Sequence, residues 1–119
     1  MATKAELRNR AGEMLGLLPP GQALQSQHTT RIEEAYAEVY ADLKTEGLNI
    51  WASDGDCPDE LNPYIAGLMA LNCTETYPVS TARFQRIVAK VGIDGDRGKR
   101  EIRRLVTPEH ESVEEATDY

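Results

Sequence analysis

Thr30-Arg31-Ile32-Glu33-Glu34-Ala35-Tyr36-Ala37-Glu38-Val39-Tyr40-Ala41-Asp42-Leu43 decides the fold class. Ile32, Ala35, Tyr36, Val39, Tyr40 and Leu43 recur at steps of three and four, which lines them along one side of an α-helix. A strand would instead alternate apolar and polar residues. Thr29 or Thr30 can cap the helix, and Glu33 and Glu34 suit its positive N-terminal end. Gly47 is placed to stop it. Glu34, Glu38 and Asp42 form the outward face, with Glu46 near the end.

Outward from this helix the same period returns four times. Thr3 to Leu18 reads as a helix with Leu7, Ala11, Met14, Leu15 and Leu18 on one side. Thr3 and Glu6 stand at capping-box spacing, and Pro19-Pro20-Gly21 ends the segment. Gln22 to His28 is a polar connector. Leu48 to Cys57 is a loop carrying Trp51, with turn residues at Ser53-Asp54-Gly55-Asp56. A short turn at 58–61 leads into a helix from Pro63 to about Tyr77. Leu61, Tyr64, Ile65, Leu68, Met69 and Asn72, widened by Leu71 and Cys73, make its apolar side so broad that it should be central. Ser80 or Thr81 caps a fourth helix with Phe84, Ile87, Val88 and Val91 on one side. After the glycine-rich link 92–98, a fifth helix from about Asp96 to Val106 shows Ile102, Leu105 and Val106, and Pro108 ends it. The expectation is an all-α bundle of four to five short helices over 1–107. Residues 108–119 form an extended acidic tail too poor in apolar residues to fold alone.

The 119 residues suit one domain. The net charge of −7 disfavours general affinity for nucleic acid. Its distribution says more. Residues 1–82 hold 5 basic and 12 acidic residues, 83–106 hold 8 and 3, and 107–119 hold none and 5. A basic segment followed directly by an acidic tail would attract its own tail or that of a neighbouring copy; across copies the pattern favours association of like subunits, head to side. Two cysteines make no disulfide framework. No signal core or membrane-length apolar run occurs, so a cytoplasm-like, reducing compartment is expected.

Sites of chemistry fail one by one. Asp94-Gly95-Asp96-Arg97-Gly98 and Asp54-Gly55-Asp56 begin like calcium loops, but the following positions are wrong. Gly92 to Lys99 is one residue too long for a phosphate loop, and Arg100 stands where Ser or Thr should bind magnesium. Cys57, Cys73, His28 and His110 lack zinc-ligand spacing, and neither cysteine has a local activating motif. No enzyme activity, cofactor or metal is expected.

Four segments carry a resemblance. They are Ala5-Glu6-Leu7 to Leu18, Thr30-Arg31-Ile32-Glu33-Glu34-Ala35-Tyr36 to Leu48, Pro58-Asp59-Glu60-Leu61-Asn62-Pro63-Tyr64-Ile65-Ala66-Gly67-Leu68, and Arg100-Glu101-Ile102-Arg103-Arg104-Leu105 with its polar tail. In order and spacing the chain resembles the head-to-tail connector (adaptor) proteins of tailed bacteriophages. That resemblance implies a non-enzymatic virion protein of the neck, assembled in the host cytoplasm. It would form a ring, commonly a dodecamer, beneath the portal protein and dock the next tail or nozzle protein. Genomic DNA would pass without specific binding, and no membrane would be involved. The tail residues Pro108, Glu109, Glu111, Val113, Glu114, Glu115, Asp118 and Tyr119 would reach the portal or a neighbouring copy. Arg83, Arg86, Lys99, Arg100, Arg103 and Arg104 would form a basic face between subunits. Glu34, Glu38 and Asp42 are candidates for the channel lining, where carboxylates repel phosphate and let DNA slide. The alternative is a small helical DNA-binding or regulatory protein using the basic region 83–106. Its Arg100, Arg103 and Arg104 suit phosphate contacts, but no Asn or Gln sits beside them to read bases.

Overall fold

The computed structural model describes residues 3–18, 22–53 and 55–106. Among these the chain is all-helical, with α1 (Lys4–Leu15), α2 (Ser26–Thr45), a single 3-10 turn (Asp59–Leu61), α3 (Asn62–Cys73), α4 (Thr81–Val91) and α5 (Asp96–Val106). The expected bundle is therefore found. Pro19, Pro20, Gly21, Asp54 and the whole proposed tail lie outside the described residues.

α3 is the hub. Ile65, Ala66, Gly67, Leu68, Met69, Ala70 and Cys73 are all buried, so the helix is apolar nearly all round. Such a helix is stable only when others cover it. α1, α2, α4 and α5 all pack against it. Leu7, Ala11 and Leu15 come from α1, Ile32, Tyr36, Val39 and Leu43 from α2, Ile87 and Val91 from α4, and Ile102 from α5. Pro63 sits in the first turn of α3, where its missing N–H costs nothing.

Several helix ends differ from the sequence expectation, each for a local reason. α1 stops at Leu15 rather than Leu18, because Gly16 turns left-handed at φ 79°. Its N–H bonds Glu13 O, and the N–H of Leu17 bonds Gly12 O, which closes the helix before Leu17 and Leu18 can join it. The capping box at Thr3 and Glu6 is present as expected. α2 begins at Ser26, ahead of Thr29 and Thr30. Neither threonine caps it: the N–H groups of His28 and Thr29 reach Gln25 O, and Thr30 Oγ1 donates back to Ser26 O. The aromatic contact of His28 with Tyr77, at 3.0 Å between Nδ1 and the hydroxyl, holds this first turn against the end of the α3 region. α3 stops at Cys73 instead of Tyr77, and turns follow it. The Ser80 cap on α4 and the span of α5 match the expectation.

The 48–57 loop is fastened to α2 by aromatic hydroxyls. Trp51 Nε1 donates to the Tyr36 hydroxyl (3.0 Å), which donates to Ser53 O (3.1 Å). The Tyr40 hydroxyl donates to Trp51 O (2.6 Å) and accepts from Asn49 Nδ2 (3.2 Å). The rings of Tyr40 and Trp51 meet edge to face. Tyr36 and Tyr40, read in sequence as plain apolar positions, thus also hold a loop.

Candidate functional site

The charged side chains are the main candidate for function, and the fold sorts them into three roles. Three arginines serve helix ends. Arg83 donates to Glu13 O in the last turns of α1 (3.1 Å), Arg97 to Ala89 O near the end of α4 (2.8 Å), and Arg31 to Asn72 O at the end of α3 (3.2 Å). Carbonyls at a helix C-terminus carry partial negative charge and lack partners within the helix, so a cation there is favourable. Arg31 also bonds Thr76 Oγ1 and Asn72 Oδ1, and Asn72 in turn donates to Glu38 (2.7 Å).

A second group clamps α5 to α2. Lys99 Nζ lies 2.5 Å from Asp42 and 3.2 Å from Glu46, and Arg103 lies 2.8 Å from Glu46. The Asp42 hydrogen bond, with Glu46 behind it, holds the Lys99 ammonium above its ordinary pKa. Arg104 pairs within its own helix with Glu101. Of the residues proposed as the basic face, Lys99, Arg103 and Arg104 therefore meet carboxylates of their own chain.

The third group, Arg10, Arg86, Lys90 and Arg100, lines open grooves, with the helix-end arginines Arg83 and Arg97 at their edges. Arg10 of α1 and Arg83, Arg86 and Lys90 of α4 line a cleft of about 620 Å³, together with Glu6, Glu13 and Asn62. Lys90 also borders a second groove with Arg97, Arg100 and the ring of Tyr64. Lys90 belongs to both, so a basic strip follows α4, interrupted by Glu6, Glu13 and Glu101. Arg10, Arg97 and Tyr64 were not among the sequence-derived candidates. Nothing in a linear reading joins them to α4, because they come from α1, α5 and α3.

On the other flank of α4 lies a groove of about 490 Å³. Leu68, Leu71, Phe84 and the exposed Ile93 give it an apolar lining, and Glu38, Asp42, Glu75, Asp94 and Lys99 line it alongside them. Ile93 is 73% exposed. It stands on a tight turn, in which Gly95 adopts φ 85° and packs so closely on α3 that a Cβ there would lie 2.9 Å from Leu68 Cδ2. Asp94 Oδ1 accepts from the N–H of Asp96 at the start of α5, and that backbone bond pulls the carboxyl below its ordinary pKa.

Of the candidate channel residues, Glu34 is exposed on α2, Glu38 receives the Asn72 amide and Asp42 is held by Lys99. Both thiols are buried and free. Burial, then Asp59 and Glu60, pushes Cys57 up to about 12, and burial likewise raises Cys73. Among the described residues no group of three His, Cys, Asp or Glu converges as metal ligands would. None of their helices is long and apolar enough to cross a membrane. Pro108, Glu109, His110, Glu111, Val113, Glu114, Glu115, Asp118 and Tyr119 lie outside the described residues. No family model, no curated protein and no solved structure matches this chain.

Proposed function

We propose that this chain is a structural subunit of a tailed-phage head-to-tail connector, assembling into a ring beneath the portal. The observation that carries the reading is the separation of charge on a small helical bundle. α2 presents an exposed Glu34, with Glu33, Glu38 and Asp42 beside it held by Arg8, Asn72 and Lys99 of the same chain, while Arg10, Arg86, Lys90 and Arg100 line the grooves beside α4. One subunit's basic strip can meet the acidic helix of the next. Such a contact uses two different patches, so repeating it either closes a ring or runs on as a filament. The four-segment resemblance to connector proteins supports closure. In the ring, carboxylates left on the lumen side would keep DNA mobile, and the acidic tail would reach the portal or a neighbour.

The test is sedimentation and electron imaging of the protein, alone and mixed with portal protein, at low and moderate salt. Closed rings, or a stoichiometric complex with portal, are the expected result. A monomer at every concentration, with no portal complex, would refute the proposal.

A second reading, a regulatory DNA-binding protein, is favoured by Arg10, Arg86, Lys90 and Arg100 along the two grooves and by Tyr64 beside them. A duplex titration separates the two. Submicromolar binding that falls steeply as salt rises would support the second reading, and the net acidic chain is expected to bind weakly.

A further inference from the structure

From the groove between α2, α3 and the 92–95 turn, we infer a docking surface for a basic, amphipathic segment of a different protein. The inference is independent of ring assembly. Leu68, Leu71 and Phe84 with the exposed Ile93 supply an apolar lining, and four carboxylates and one ammonium stand beside it. Apolar side chains would pack on this lining, and lysines or arginines alongside them would meet Glu38, Glu75 and Asp94. The surface is already shaped. Asp94 is tied to the backbone of α5, Asp42 to Lys99, Glu38 to Asn72, and the turn bearing Ile93 is pressed on Leu68. Little ordering entropy remains to be lost on binding. An isoleucine 73% exposed on such a turn is displayed, and its burial by a partner would be favourable.

Charge and packing choose among occupants. Duplex DNA and the acidic segment 109–118 would both be repelled by these carboxylates. A second copy offers basic helices in α4 and α5, but these turn Ile87, Val91 and Ile102 into their own core. A segment from another protein, apolar on one side and cationic beside it, has the complementary chemistry.

The experiment uses the full chain and a fluorescein-labelled synthetic helical peptide with leucines on one face and lysines on the other. A control peptide keeps the lysines and replaces the leucines with serine. Affinity is read by anisotropy and location by amide shifts. The wild-type protein should bind the leucine peptide with shifts at residues 71–75 and 93–95. Ile93→Ser should weaken binding about tenfold. Glu75→Lys, at an exposed position, should weaken it severalfold, and more at low salt than at high salt. The serine peptide should bind about tenfold less tightly than the leucine peptide. Equal affinity for both peptides, an unaffected Ile93→Ser, or shifts confined to the Arg83–Lys90 flank would overturn the inference. So would loss of self-association in Ile93→Ser, which would make the groove a contact between copies.

Discussion

Replacing Tyr36 by phenylalanine tests whether the 48–57 loop is held by hydrogen bonds or merely by apolar stacking. Tyr36 and Trp51 are only 4% and 7% exposed. Removing the hydroxyl leaves the indole N–H buried without the acceptor it has at 3.0 Å. A buried donor stripped of its partner costs about 1–3 kcal/mol. The Ser53 carbonyl also loses its donor, but Ser53 is exposed and water replaces the bond. The expected loss is therefore about 1–3 kcal/mol, with Tm falling by about 4 °C per kcal/mol in a domain of this size. Urea unfolding followed by tryptophan emission reads it directly, since Trp51 is the single tryptophan. Tyr40→Phe is the comparison: its hydroxyl is half-buried, and the loss should be about 0.5–1.5 kcal/mol. Trp51→Phe with Tyr36→Phe, followed by circular dichroism because no tryptophan remains, should cost less than the two separate losses combined, by about 1 kcal/mol, because the stranded N–H is then gone. A Tyr36→Phe protein within about 0.5 kcal/mol of wild type would refute the clamp.

Ile102→Ala, at a fully buried side chain that seats α5, should lose about 2–5 kcal/mol in urea unfolding. Lys99→Met removes the partner of Asp42 and Glu46 and should lose about 1 kcal/mol or less, a loss that shrinks in high salt. Stability should also fall on the alkaline side. The folded pKa of Cys57 is raised from 9.0 to about 12, so its contribution is complete below pH 9.0 and is lost as pH rises to about 12. Lys99 acts in the same direction above its ordinary 10.5; Cys57→Ala should flatten the first part of that decline in thermal melts. Deleting residues 108–119 should leave the helical circular dichroism intact and abolish co-sedimentation with portal protein. A truncated protein that unfolds would show that the tail packs on its own bundle.

Helical period, capping signals and breakers were local properties, and they determined the fold class by themselves. A stripe such as Ile32, Ala35, Tyr36, Val39 and Leu43 has one low-energy solution, a helix with that side covered. The unusual breadth of apolar positions between Tyr64 and Cys73 marked α3 as central for the same reason: only a helix covered on several sides keeps so much of its surface from water. Tertiary structure decided what the charged residues do. Residues 83–106 read in sequence as a single basic face. In the fold, Arg83 and Arg97 meet the C-terminal carbonyls of other helices, while Lys99 and Arg103 cross to α2. The open strip that remains draws Arg10 from α1, far away in sequence. Coulombic partners are set by distance in space, and periodicity carries no information about which helix ends beside which side chain.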